Sequence, residues 1–261
     1  MEPGQVGSVS WSALALLAAA SFVAGFVDAI AGGGGLITVP ALLAVGLPPH
    51  TMLATNKGQA TFGAVSSATS FWMKGGVDKP RAPIGFFFGF AGSVIGASVV
   101  LLVPNGPLKP IVLALLVTAA ALILWPKKRR EITPHKISRL WTIPIALGIG
   151  FYDGFFGPGT GSLLIVAFVL VYGDALTRAS GNAKIVNLGS NVGALLLFTL
   201  RGAVLFNIAI PMAVANALGA FTGARFAMKH GDRFVRAVVV VVVSALLVKV
   251  GWDIFSTSLG S

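Results

Sequence analysis

The sequence predicts an all-α integral membrane protein made of two repeated halves, each a broken, re-entrant helical hairpin plus three transmembrane helices. Three observations carry that expectation. Of the 261 residues, 56% are hydrophobic and only 10% charged, with a mean hydropathy of +0.89, and a soluble domain of this length would need more charge on its surface. Apolar runs at 84–103, 108–125 and 237–250 with its flanks reach or approach the length that crosses a bilayer. A third observation is a set of residues that recurs at a nearly fixed offset along the chain.

The first element, Trp11 to Gly46, is apolar and interrupted by Gly32-Gly33-Gly34-Gly35. No Lys or Arg precedes it, which argues against a cleaved signal peptide. Spanning helices are expected next at 52–73, 83–103 and 108–126. A basic linker, 127–139, separates them from a second apolar run, Leu140 to Tyr172, which is broken by Gly157-Pro158-Gly159-Thr160-Gly161. Further spans at 179–200, 206–228 and 236–255 complete six crossings. The organisation is therefore a first transmembrane repeat at 11–126, the linker at 127–139 and a second repeat at 140–256. The pieces after each break, 36–45 and 162–172, are short for a crossing, so each broken pair is read as a hairpin that enters and leaves by one face; eight full spans is the competing reading.

Charge orients the spans. The formal charge of +11 gathers in short clusters between apolar runs, without interleaved aromatics, and so speaks for membrane topology over a nucleic-acid partner. Loops 74–81, 127–139 and 229–236 are rich in Lys and Arg and belong in the cytoplasm, which puts both termini on the periplasmic side. Trp11, Trp72, Trp125, Trp141 and Trp252 fit interface anchors at helix ends. The chain has no cysteine, and His50, His135 and His230 fall in predicted loops without metal-ligand spacing. The 157–161 run lacks a preceding strand and a following Gly-Lys-Ser/Thr. An enzyme, a metal site, a nucleotide site or any other cofactor is not expected.

The repeat sets the architecture. Gly25, Phe26, Asp28, Gly32 and Gly34 match Gly150, Phe151, Asp153, Gly157 and Gly159 at an offset of 125 (153 − 28). Downstream, Lys57, Val65, Phe71, Gly75, Gly92 and Gly96 match Lys184, Val192, Phe198, Gly202, Gly219 and Gly223 at 127 (184 − 57). Three crossings plus a hairpin is an odd unit, so the second copy is upside down relative to the first, the inverted repeat of many secondary transporters.

The residues Gly25-Phe26-Val27-Asp28, the run Gly32 to Pro40 and Ala54-Thr55-Asn56-Lys57 resemble the TauE/SafE family of sulfite and organosulfonate exporters. In the second half, Gly150 to Gly161 and Asn182-Ala183-Lys184 are similar to the family's partner motifs, and the resemblance covers essentially the whole chain. One departure is Val166, standing near the place where Pro40 ends the first motif. The resemblance implies transport of small sulfur-containing anions, sulfite or sulfonates, across the bacterial inner membrane.

Broken helices near the bilayer midplane offer backbone amides and helix N-terminal dipoles to an anion, and Gly lets it approach closely. The candidate substrate-binding residues of the first half are Gly33, Gly34, Gly35, Asn56, Lys57 and Gln59. Those of the second half are Pro158, Gly159, Thr160, Asn182, Lys184, Asn187 and Asn191. Lys57 and Lys184 serve either as counter-charges for the anion or as snorkelling side chains, and the amides either as donors or as interhelical glue. Asp28 and Asp153 either couple transport to a proton or hold a lysine in an ion pair. Isolated glycines such as Gly92, Gly96, Gly219 and Gly223 are read as close-crossing points. The expected activity is secondary transport by alternating access of a small anion, with membrane lipid as the surrounding partner. An anion channel is the alternative, and a non-transporting scaffold a distant third.

Overall fold

A computed structural model describes residues 9–124 and 137–230, and every regular element among them is helical. Helix α1 (Trp11–Ala31) opens on Ser10, whose Oγ accepts the Ala13 N–H at 3.2 Å, and closes at Gly32 in the left-handed conformation, φ 76°. After that break come α2 (Gly35–Ala44), α3 (Pro49–Met73), α4 (Ala82–Leu102) and α5 (Asn105–Leu124). A single 3₁₀ turn, Arg139–Trp141, leads into α6 (Thr142–Phe155); α7 (Thr160–Tyr172), α8 (Leu176–Leu200) and α9 (Phe206–His230) follow.

Helix α2 runs through Pro40 to Ala44, close to the expected 36–45 piece, and forgoes only the N–H···O bond that residue would make to Leu36. Two details correct the sequence reading. Pro49 is well placed as the first residue of α3 because its fixed φ suits a helix start, so that helix begins three residues before the expected 52, and α8 likewise begins at Leu176 instead of 179. His50 consequently stands on the first turn of α3, its Nε2 3.0 Å from the Val100 carbonyl, and His230 closes α9; neither is a loop residue.

Among the described residues, four helices are long and apolar enough to cross a membrane by length and composition: α1, α4, α8 and α9. Helix α3 is as long as α8, 25 residues, but carries Asn56, Lys57, Gln59 and several Ser and Thr, which lower its hydropathy. The expected span 236–255, the linker residues 127–136, Trp125, Trp252 and His135 lie outside the described residues. Trp11, Trp72 and Trp141 are exposed at helix ends.

Leu17 near the start of α1 packs in one apolar cluster with Leu42 of α2 and Leu47 beyond it. At the opposite end of the bundle, the Thr142 hydroxyl opening α6 lies 2.8 Å from the Tyr172 hydroxyl closing α7. Glycines let the long helices cross these pairs closely. A methyl group on Gly92 or Gly96 of α4 would sit 2.2 Å from the Leu147 carbonyl oxygen or 2.0 Å from that of Phe151. On Gly219 or Gly223 of α9 it would meet the Phe22 or Phe26 carbonyl at 2.0 or 2.3 Å. The contacts match in sequence position, since Phe26 and Phe151 are 125 apart (151 − 26) and Gly96 and Gly223 are 127 apart (223 − 96), the offsets of the matched residues.

The two ends of the bundle differ. At one, Arg81 Nη2 bridges Asp174 at 2.9 Å and Asp78 at 3.0 Å, the guanidinium lies 4.2 Å from the Tyr172 ring centre, and Asn182 accepts the Asp78 N–H while donating to Asp174, both at 2.8 Å. Burial alone would lower the Arg81 pKa, but its hydrogen bonds to Asp174 and Asp78 outweigh that and raise it. At the other end the corresponding positions, each 127 lower or higher, are Leu47, Leu205 and Ile208, all in the apolar cluster, with the Leu205 N–H donating to Thr55 at 3.2 Å. A polar clamp on one end thus faces an apolar seal on the other.

Candidate functional site

The two helix breaks touch one another. Gly32 needs its left-handed φ of 76° to end α1, and a Cβ there would lie 2.1 Å from the Gly161 carbonyl carbon, so backbone meets backbone. The Ser162 N–H donates to the Gly32 carbonyl at 3.2 Å and its hydroxyl to the Ala31 carbonyl at 2.5 Å, while Ser180 of α8 donates to Ile30 at 3.2 Å. The last carbonyls of α1, which no helical N–H can reach, are therefore satisfied by the second half of the chain. The first residues of α2 and α7 are brought together in the process.

Behind each break stands an ion pair whose members come from different halves. Lys57 on α3 lies 2.8 Å from Asp153 on α6, and Lys184 on α8 lies 2.6 Å from Asp28 on α1. Lys57 and Lys184 each occupy the ninth position of a 25-residue helix (57 − 49 = 184 − 176 = 8) and are buried, so neither snorkels. An uncompensated ion at such a depth costs several kcal/mol. The aspartates supply the compensation.

The pairs are not equivalent. Asp153, with 4% of its side chain exposed, also accepts from the Thr160 hydroxyl at 2.9 Å and from the Ser190 hydroxyl. Asp28, with 26% exposed, has the Gly34 N–H at 3.2 Å as its other donor. Gly157, at φ 97°, lies beneath the first pair; a Cβ there would come within 3.2 Å of Lys57 Nζ and 3.3 Å of Asp153. A side chain at this position would push between the two charges.

A cavity of about 40 Å³ opens between the breaks and the pairs. Of the residues expected from sequence, Asp28, Gly34, Gly35, Asn56, Lys57 and Gln59 line it from the first half, and Asp153, Thr160, Asn187 and Asn191 from the second. Asn56 Oδ1 accepts from Thr38 at 2.6 Å and Gln59 at 2.9 Å, which holds both amides in place. Gln59 Oε1 and Asn187 Oδ1 are buried without a hydrogen-bond partner among the described residues, a costly condition unless a ligand or water meets them.

Five expected residues are not on its wall. Lys184 is paired with Asp28, and the carbonyls of Gly33, Pro158 and Gly159 accept from Leu36, Tyr152 and Leu163. Asn182 belongs to the Arg81 clamp. Conversely, Gly32, Ala60, Gly157, Gly161 and Asn216 line the cavity without having been singled out as binding residues. Asn216, an amide in the middle of an otherwise apolar span, carried a legible signal. Its Nδ2 donates to the Ser21 carbonyl at 3.2 Å, and Gly63 leaves room for it, since a Cβ there would fall 1.6 Å from its Oδ1.

Comparison with known proteins agrees with the sequence motifs. The profile of the family described as "Sulfite exporter TauE/SafE" matches residues 17–250. "Probable membrane transporter protein ORF9" of Sinorhizobium sp. is 39% identical over 90% of this chain and 91% of its own length. "Probable membrane transporter protein YfcA" of Escherichia coli K12 is 39% identical over 92% and 90%, and a "Probable membrane transporter protein" of Haemophilus influenzae is 37% identical over 92% and 95%. No solved structure matches the chain at a significant level. With the profile spanning nearly all of its length, the chain belongs to the sulfite exporter TauE/SafE family of membrane proteins.

Proposed function

We propose that the protein is a secondary transporter that exports a small sulfur-containing anion across the bacterial inner membrane by alternating access, with the anion held in the cavity between the two helix breaks. The observation that carries this reading is the convergence of the first residues of α2 and α7 on one cavity, together with the amides of α3, α8 and α9. Helix N-termini carry partial positive charge and favour anions. A volume of about 40 Å³ corresponds to roughly three water-sized spaces at about 10–15 Å³ each. That supports a compact oxyanion such as sulfite as the occupant of this state, with the tail of a larger organosulfonate requiring the cavity to widen.

The two halves act, in this reading, as inverted copies whose hairpins enter from opposite faces. The matching glycine crossings and exchanged ion pairs support it. Lys74, Arg81, Arg139 and Lys229 mark the cytoplasmic end, and the start of α1 then lies toward the periplasm, as do both chain termini. Asp28 is the better candidate for coupling to a proton. It is the more exposed carboxylate and has fewer donors, and neutralising it would release Lys184 toward the anion. Asp153 serves as the fixed counter-ion of Lys57.

The test is ligand-dependent thermal stability in detergent against sulfite, sulfate, sulfonates, carboxylates and chloride, followed by counterflow in proteoliposomes. Saturable stabilisation by sulfite, lost in Asn187→Ala, and substrate-dependent counterflow are expected. Stabilisation by none of the anions would remove the sulfur-anion assignment, and conductance without counterflow would make the protein a channel.

A further inference from the structure

A second cavity, about 540 Å³, lies away from the central site, between the end of α3, the start of α8 and the end of α9. It is lined by Lys74, Gly76, Thr177, Arg225, Met228 and Lys229, so among the described residues three cations face it and no carboxylate does. None of the three is ion-paired with a described residue. The other large cavity at this end differs, since Asp78 and Asp174 offset its arginines. Three like charges gathered on one wall repel each other, and an anion seated among them would relieve that repulsion.

The chemistry of that anion is indicated by what adjoins the cavity. On α9, Ile210, Val214, Leu218 and Phe221 are 58%, 59%, 56% and 38% exposed. Their spacings of four, four and three put them in one row along the helix, and the next step of four reaches Arg225, whose guanidinium lies 3.8 Å from the Phe221 ring centre. Helix α9 is long and apolar enough to cross the membrane. An apolar row about 16 Å long, roughly the depth of one bilayer leaflet, that ends in a basic cavity complements a molecule with a hydrocarbon chain and an anionic head. A free inorganic anion would use the cavity but leave the row unexplained.

We propose that the cavity of Lys74, Arg225 and Lys229 binds the phosphate headgroup of an anionic membrane phospholipid, with an acyl chain lying along Ile210 to Phe221. Basic pockets between transmembrane helices on the cytoplasmic side take such headgroups. The bound lipid would join the ends of α3 and α9, which also carry Lys57 and Asn216 of the central cavity.

The experiment compares the full-length protein with a triple variant, Lys74→Gln/Arg225→Gln/Lys229→Gln, and with a control that removes equal charge outside this cavity, Lys79→Gln/Arg139→Gln/Arg178→Gln. Each is delipidated in detergent and titrated with phosphatidylglycerol, phosphatidylcholine or inorganic phosphate, reading thermal stability and, by native mass spectrometry, the number of lipids retained. Phosphatidylglycerol should stabilise the wild type and the control saturably. The triple variant should bind it about a hundredfold more weakly, three basic contacts being lost. The proposal is overturned if phosphatidylcholine acts as strongly as phosphatidylglycerol, or if inorganic phosphate alone reproduces the effect. Equal weakening in the control would also overturn it. Should the triple variant not fold, wild-type protein that retains no phosphatidylglycerol decides against it, and retention that survives excess phosphate decides for it.

Discussion

Lys57 and Asp153, 96 positions apart (153 − 57), meet at 2.8 Å in the interior of the bundle, and Lys184 and Asp28 repeat the contact with the halves exchanged. In this fold neither lysine is paired with the aspartate of its own half. Each lysine's charge is tolerated only when both halves are folded against each other, which makes the exchange a condition of assembly as well as a feature of the site.

The first prediction concerns that dependence. Removing one partner of a buried pair leaves the other uncompensated and costs about 3–5 kcal/mol. Lys57→Ala and Asp153→Ala are each expected to lose that much in unfolding experiments in detergent, while the double variant loses much less than their sum. Additive losses would mean that the two charges do not support one another.

The aspartates should separate. Asp153, 4% exposed with two hydroxyl donors besides Lys57, is bound more tightly into the fold than Asp28 at 26%. Asp153→Asn should therefore lower thermal stability more than Asp28→Asn, whereas Asp28→Asn should keep its fold and lose the pH dependence of counterflow. Indistinguishable melting and pH profiles for the two variants would contradict this assignment.

Glycine substitutions give a test of the crossings. At Gly96 and Gly223 a Cβ would fall 2.0 and 2.3 Å from a backbone carbonyl oxygen, closer than any rearrangement of side chains can relieve. Gly96→Ala and Gly223→Ala should each reduce yield and thermal stability, by similar amounts. Gly148→Ala on the exposed side of α6 meets nothing within 4 Å and should instead stabilise the helix by roughly 0.5–1 kcal/mol.

The polar clamp should govern access from its own end. Because the chain contains no cysteine, a single Ala60→Cys reports the cavity without background labelling. Arg81→Gln, which breaks the bridges to Asp174 and Asp78, is expected to raise the rate of labelling by a hydrophilic thiol reagent added at the clamp's end about tenfold, equivalent to about 1.4 kcal/mol. An unchanged rate would show that the clamp does not hold this end shut.

Much of the arrangement was legible because intramembrane polarity is rare enough to be informative. Lys57, Asp28, Asn187 and the two glycine breaks stand out against apolar surroundings, and ten of the expected residues line one cavity. What could not be read was which lysine meets which aspartate. Repeat matching gives equivalent positions, and equivalence is as compatible with pairing inside a half as with exchange. Asn182 misled because it is an amide just before the second lysine, yet it stands at the position matching Thr55 (182 − 55 = 127), not Asn56, and its amide turns to Asp174 at the bundle end. The Arg81 clamp was hidden for another reason: charges in loops were used to orient the spans, which says nothing about the partners they choose. Helix starts at Pro49 and Leu176 were set by backbone geometry outside the apolar windows.

The exchanged pairs also have an electrical consequence. Lys57, Lys184, Asp28 and Asp153 sum to zero, so the empty site offers a membrane voltage no net charge to act on. A monovalent anion added to it brings one negative charge, and each elementary charge that crosses the full field gains or loses about 2.3 kcal/mol per 100 mV. In the transporter proposed above, a negative cell interior drives the loaded site outward only while Asp28 stays ionised, whereas a proton taken up there cancels the anion's charge and leaves the loaded site as indifferent to voltage as the empty one.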